Sequence, residues 1–248
     1  SLTAEGEQLL AAARKLLSPI DASQSEIANI HTTLTGPLRI GVFDQSSTNP
    51  NARIHDAIRQ FDDVAVDVTL EIALAPPSSL ESRVTDGTLD LAIVPVHRQS
   101  TMLTYTPLYS EHMTLYCGEG HPLFEPTTYG VGDDLDLRGY KYAGYAFNSP
   151  NMNAGRKLGV TRAAHVQEEE ALSLLIQSGR YLGFLADHVA ETFLGKGTIR
   201  EVSPATTRYS TVFAAITRKK PEPDRKTLEF LSCLPMCHDP AICLTNRC

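Results

Sequence analysis

Leu2, Gly6, Leu9, Ala13, Leu16, Ile20, Ser23, Ile27, Ile30 and Leu34 follow one another at alternating steps of four and three, the spacing of a coiled-coil seam. The pattern predicts a long helix over residues 1–35, capped at Thr3 and kinked or broken at Pro19, where a backbone donor is lost. Such a helix is expected to pair with a second copy of the chain. An ordinary surface helix tolerates the same pattern, but the sustained heptad favours pairing.

After Gly36-Pro37 the period changes. LRIGVF reads as a buried strand, and Asn49-Pro50 as a cap followed by proline at the first helical position, with Ile54, Ala57, Ile58 and Phe61 on one helix face. Val64, Val66, Val68, Leu70, Ile72 and Leu74 alternate with mostly polar residues, so one face of that strand is expected to be buried. Ser78 and Glu81 have capping-box spacing, Gly87 closes a short helix, and LDLAIVPV reads as a fully buried strand. The same grammar returns from Tyr140: the strand YKYAGYAF, a polar Asn148-Ser149 before Pro150, a helix, then HVQEEEALSLLIQSG as a second helix, and YLGFL as a buried strand. Leu228, Leu231 and Leu234 give a closing helix one apolar side, docked on the first half. Two α/β units are expected, residues 36–107 plus 218–237 and residues 108–217, between a linker helix at 1–35 and a tail at 238–248.

A chain of 248 residues, 42% of them hydrophobic, can build both cores. The net charge of −7 gives no global attraction for nucleic acid or anionic lipid, so any service to DNA must be delivered by another part. No apolar run approaches the ~20 residues of a membrane span. Glu5 and Glu7 stand where a secretory signal would be basic and then apolar, so the expected location is the cytoplasm, with no membrane partner.

Four of the five cysteines lie in the last sixteen residues, beside His238. This run reads as a loosely docked or disordered tail rather than a zinc site, and neither a metal nor a cofactor is expected. The eight histidines are scattered, and no HExxH, nucleophile elbow or Walker loop is present, so no catalytic residue is assigned. Cys117 reads as a buried thiol.

Taken in order, LTAEGEQLLAAARKLL, GPLRIGVF, DGTLDLAIVPV, PLYSEHMTLYCGEGHPL and SGRYLGFLADHVAE resemble the LysR-type transcriptional regulators, specifically their linker helix and co-inducer-binding portion. The resemblance implies a two-lobed α/β fold of the periplasmic-binding-protein type 2 class, with two crossover strands and an effector in the cleft. It also implies a homodimer or homotetramer through the linker helix and lobe packing. In the family a winged helix-turn-helix comes before the LT.EG stretch, so residues 1–248 are expected to be a regulator without its DNA-reading head. Contact with DNA and RNA polymerase is therefore expected only through the full-length protein. The cysteine-rich tail and Pro19 depart from the family pattern. A solute-binding receptor of the same two-lobed class is the alternative; it leaves the dimerising helix without a use. An enzyme would need a reactive constellation that the sequence does not display.

Open α/β sheets bind ligands beyond the carboxyl ends of their strands, where loops enter helix N-termini. That rule selects Ser46, Ser47, Thr48 and Asn49, then Pro77 and Ser78, Pro95 and His97, Phe147, Asn148 and Ser149, and finally Gln167 and Glu168. Asn49 is expected to cap its helix, leaving the other three for a ligand. Glu168, Glu169 and Glu170 suit a helix N-terminus but repel an acid, so the carboxylate of a small organic effector is expected nearer Ser46 to Asn49 or Asn148-Ser149. Tyr142, Tyr145 and Phe147 read as core first and as an aromatic wall for the effector second.

Overall fold

The computed structural model describes Thr3 and residues 33–125, 136–147, 149–202 and 207–235. The seam up to Ile30, Asn148 and the tail from residue 236 lie outside the described residues. The chain forms two compact units: one takes the residues up to Ser47, Ala52–Tyr109 and those from Phe213 on, the other Thr48–Asn51 and Ser110–Val212.

In the first unit β1 (Thr35–Val42) lies between β2 (Asp67–Leu74) and β3 (Leu91–Pro95), parallel to both, and β3 pairs antiparallel with the C-terminal half of β9 (Arg208–Arg218). The apolar runs of β1 and β3 are buried throughout, from Leu38 and Ile40 to Leu91 and Ile93. Gly41 is required in β1, because Leu80 Cδ2 and Leu89 Cδ1 stand 2.6 and 2.7 Å from where a Cβ would be. Helices α1 (Ile54–Val64) and α2 (Pro77–Thr85) follow β1 and β2, and α6 (Arg225–Cys233) seats Phe230 edge-on against Phe61 of α1 at 5.4 Å.

Several local expectations shift here. Helix α1 starts at Ile54, not after Pro50: Arg53 takes a left-handed conformation (φ 46°) at its N-cap, and the Asn49 side chain is committed elsewhere. Pro76 is the N-cap of α2, with no side-chain cap, so Ser78 and Glu81 lie inside the helix rather than forming a capping box. The alternating apolar residues around β2 are largely uncovered, with Ile72 52% and Leu74 70% exposed and Val64 and Val66 also outside the core. β2 is an edge strand whose only strand neighbour among the described residues is β1. The buried side of α6 is Lys226, Thr227 and Phe230, whereas Leu228 faces solvent.

The second unit is built on β4 (Leu103–Gly118) and the N-terminal half of β9, each of which runs from one unit into the other. β7 (Gly183–Ala186) and β8 (Ile199–Glu201) pair antiparallel with β4, while β5 (Lys141–Tyr145) and β6 (Thr161–Val166) form a parallel pair. A parallel bridge between Tyr142 and Leu182 ties β5 to β7. Helices α3 (Pro150–Leu158), α4 (Glu169–Gln177) and α5 (Asp187–Leu194) follow β5, β6 and β7 in turn. The expected helix HVQEEEALSLLIQSG begins as strand, since His165 and Val166 end β6, and β6 itself escapes the periodicity reading. Gly179 stops the α4 segment at φ +68°, and a Cβ there would meet the carbonyl oxygen of Glu119.

Asp224 caps α6. Its Oδ1 accepts from the Thr227 backbone N–H at 3.0 Å and its Oδ2 from Lys226 Nζ at 2.6 Å. Burial alone would raise this carboxyl, but the hydrogen bonds from Lys226 and Thr227 outweigh it and hold it below the ordinary carboxylate range. A depressed folded-state value stabilises above the unfolded pKa of about 3.9 and is lost as pH falls through the folded value. Asp224→Ala is expected to lower stability by about 1 kcal/mol at neutral pH in urea unfolding, the difference shrinking below about pH 4.

Candidate functional site

The strand directions bring several chain segments to one edge of the second unit. β5 and β6 are parallel, β5 and β7 are parallel at their bridge, and β4 runs against β7 with Met113 opposite Ala186. The carboxyl ends of β5, β6 and β7 therefore share an edge with Glu111, two residues before Met113 in β4. Ser149 follows β5, Glu169 follows β6, and Asp187 and His188 follow β7.

Glu111 organises this edge. Its Oε1 accepts from Asn49 Nδ2 at 2.8 Å and lies 3.2 Å from His188 Nε2, with 8% of the Glu111 side chain and 9% of the His188 side chain exposed. The other ring nitrogen, His188 Nδ1, is 3.0 Å from Thr48 Oγ1. A carboxylate only accepts, so Nε2 carries a proton, and in the neutral imidazole Nδ1 accepts from the Thr48 hydroxyl. The result is a hydrogen-bonded line from exposed Thr48 through His188 to buried Glu111. Asn49 Oδ1 meanwhile accepts from the Asn51 backbone N–H at 2.8 Å, so both ends of this amide are engaged.

The neighbouring carboxylates have structural bonds. Glu169 Oε1 accepts from the Ala186 backbone N–H at 2.9 Å, joining the ends of β6 and β7, and Asp187 Oδ1 accepts from Thr114 Oγ1 at 2.8 Å and from the Tyr116 hydroxyl at 3.3 Å. Burial, then the Asp187 charge, pushes the Tyr116 phenol well up. Beneath the edge Tyr142, Phe184 and Tyr209 pack edge to face, with centroids 6.2 and 5.1 Å apart. Burial, reinforced by Tyr142 and by the charges of Glu169 and Glu111, drives the Tyr209 phenol far above its ordinary value.

At the start of α3 the balance is reversed. Ser149 is the N-cap, yet its hydroxyl makes no capping bond. Ser149 Oγ, Asn151 Nδ2, and Nε and Nη2 of Arg162 are covered and have no hydrogen-bond partner among the described residues. Ser149 is 5% and Asn151 1% exposed. Asn151 also accepts, through Oδ1, from the Tyr142 hydroxyl. Arg162 sits in register with Tyr142 on the adjacent strand. Buried donors left unpaired are rare in folded proteins, because each forfeits about 1–3 kcal/mol of hydration. This group asks for an acceptor.

The residues selected from sequence fall out unevenly. Thr48 and Asn49 join the Glu111 edge, although Asn49 does not cap α1; Ser149 joins the donor group. Ser46, buried in the first unit, donates to the Phe43 carbonyl at 2.8 Å and closes a turn, while Ser47 is exposed. Pro77 is buried as the first residue of α2, Ser78 is exposed, Pro95 is buried at the end of β3, and His97 is half-buried. Phe147 is half-buried and stacked on Tyr145 at 4.9 Å, and Tyr142 and Tyr145 are core. Gln167 and Glu168 are exposed, and the working residue of that turn is Glu169. Asn148 lies outside the described residues.

Sequence reasoning missed Glu111, Asn151 and His188. The strand-end rule applied to YLGFLA would have reached His188, and Glu111 is an acid inside the strand-like run YSEHMTLYC, a position where burial demands a partner.

Among the described residues no cluster of His, Cys, Asp and Glu could hold a metal ion, and no helix is long and apolar enough to cross a membrane. Cys117 is fully buried, and burial pushes its thiol up to about 12 against the opposing charge of Arg200.

Strands with helices at their carboxyl ends, two strands that run from one unit into the other and a polar edge define the class of α/β protein. The LysR substrate binding domain family matches residues 31–235, and the chain belongs to that family. It is 29% identical over 231 residues to the HTH-type transcriptional activator BauR of Pseudomonas aeruginosa, covering 93% of this chain and 75% of that protein. The effector-binding domain of QuiR in complex with shikimate superposes with a TM-score of 0.65 at 16% identity, covering 80% of this chain and 95% of that one. The regulatory domain of CcmR from Synechocystis PCC6803 in complex with 2-PG gives 0.63 at 16% identity, with 86% and 99% covered. The fold is thus the periplasmic-binding-protein type 2 fold of LysR effector-binding domains.

A thiol so covered and so weakly acidic is not expected to act as a redox sensor. Iodoacetamide at about pH 8 should leave Cys117 unmodified in the folded protein and label it in urea, read by peptide mass mapping. Labelling of Cys117 before unfolding would contradict this reading.

Proposed function

We propose that the chain serves as the effector-binding region of a LysR-family transcriptional regulator, a family whose members bind small-molecule effectors, oligomerise and bind DNA. We propose that its effector is a small organic acid whose carboxylate is received at the start of α3 by Ser149 and Asn151, with Thr48 and His188 bounding the site on the other side. The observation that carries this reading is the pair of buried, unpartnered donors at a helix N-terminus, where the helix dipole also favours an anion. Asn49 and Ser46 are engaged in internal bonds, which supports the Ser149 side over the Ser46–Asn49 turn as the seat of the carboxylate.

Effector binding shifts the regulator between arrangements by its differential affinity for them, and that change reaches the DNA-binding portion of the full-length protein in the cytoplasm. Assembly as a homodimer or homotetramer is proposed to use the heptad seam of residues 1–35. The exposed Val66, Ile72 and Leu74 at the β2 edge supply apolar area for packing of one unit on another copy.

A thermal-shift and calorimetric screen of small mono- and dicarboxylates tests the site. Ser149→Ala and Thr48→Ala should each weaken the acid that binds by about tenfold, equivalent to about 1.4 kcal/mol, with the unliganded unfolding midpoint nearly unchanged. Unaltered affinity in both variants would remove these residues from the site. For assembly, Leu16→Asp should reduce the oligomer seen by light scattering without unfolding the α/β units, and a variant of parental size would rule the seam out.

A further inference from the structure

The site proposed above accounts for an anion; Glu111 implies a second feature of the ligand. Both donors that reach this carboxylate, Asn49 Nδ2 and His188 Nε2, go to Oε1. Among the described residues Oε2 meets no hydrogen-bond donor, and it is not one of the covered atoms left without a partner, so it is open to solvent. A carboxylate with nine-tenths of its side chain out of water is strongly disfavoured without a cation or a full set of donors. Among the described residues, the one basic group in ion-pair range of Glu111 is His188, and neither Glu111 nor the adjacent Asp187 meets a lysine or arginine. Thr48 Oγ1 lies 3.0 Å from His188 Nδ1, and a hydroxyl oxygen has two lone pairs, so it has acceptor capacity whichever way that bond runs.

One edge of the second unit therefore carries donors without acceptors after β5 and, at β4 and β7, carboxylates that meet no lysine or arginine among the described residues. β5 and β4 lie on opposite sides of β7, bridged at Tyr142–Leu182 and paired at Met113–Ala186, so the α3 donors and Glu111 flank the end of the same strand. We propose that the effector is a zwitterion of the amino-acid class, its carboxylate on Ser149 and Asn151 and its ammonium on Glu111 Oε2 and Thr48 Oγ1. This inference rests on the effector reading above and adds the cationic centre. A plain acid brings no donor to Glu111 Oε2, and a plain amine leaves the α3 donors unpaired. The site thus discriminates against both by the polar groups that each leaves unmatched.

The test is calorimetry on the 248-residue chain with matched sets of α- and ω-amino acids of two to six carbons, the corresponding carboxylic acids and the corresponding amines, such as 4-aminobutyrate, butyrate and butylamine. At least one amino acid should bind ten times or more tightly than its deaminated acid and its decarboxylated amine. Glu111→Gln, which keeps an acceptor for Asn49, should erase the preference over the acid while the acid's own affinity stays within about threefold of wild type. Circular dichroism and the unfolding midpoint check that this variant is folded. If acids bind as tightly as their amino counterparts, or if Glu111→Gln leaves the ratio unchanged in folded protein, the zwitterion is wrong and the carboxylate site stands. If no amino acid binds at millimolar concentration, the zwitterion is likewise wrong. Binding of amino acids that is indifferent to Ser149→Ala and Asn151→Ala would overturn the carboxylate site itself.

Discussion

One oxygen of a buried carboxylate, Glu111 Oε1, receives the Asn49 amide and the His188 imidazole. Those two bonds fix the short stretch Thr48–Asn51 as part of the second unit, although the strand that leads into it, β1, belongs to the first. The carboxylate is the expensive element, since burial strips its hydration, and the two donors are what make the burial tolerable. Once His188 is held by Glu111, its far nitrogen orients Thr48. The polarity of the edge thus follows from where one acid was buried.

The rest of the edge is arranged around the same principle of matched polarity. Glu169 is also buried, but it takes the Ala186 amide and so ties two strand ends together. Asp187 takes two hydroxyls from β4. The Ser149 hydroxyl and the Asn151 amide nitrogen, by contrast, have no acceptor among the described residues. A protein edge with surplus donors in one place and a surplus acceptor in another is set up for a ligand that carries the complementary pair, and the family to which the chain belongs supplies the context in which such binding has consequences.

Much of the frame was legible because it depends on local chemistry. The glycine stops before LDLAIV and YLGFL have positive φ, and the strands that follow are buried as their unbroken apolar runs require. Pro150 opens its helix as expected. Other features depend on what a neighbour does. Asn49-Pro50 has the chemistry of a helix start, but a partner sixty-two positions away takes the amide and the helix begins later. The alternation through β2 correctly signals a strand but not its cover, because pattern alone does not distinguish an edge strand from an inner one. His188 and Glu111 carry a local signal, but their pairing, like the unpaired amide of Asn151, is set by residues far along the chain.

The central claim is that the Asn49–Glu111 bond holds the turn to the second unit, and a double-mutant cycle measures it directly. Unfolding free energies of Asn49→Ala, Glu111→Ala and the double variant should show a coupling of about 1.5–3 kcal/mol, as for a buried hydrogen bond to a charged acceptor. Effects that add to within about 0.5 kcal/mol would contradict the account.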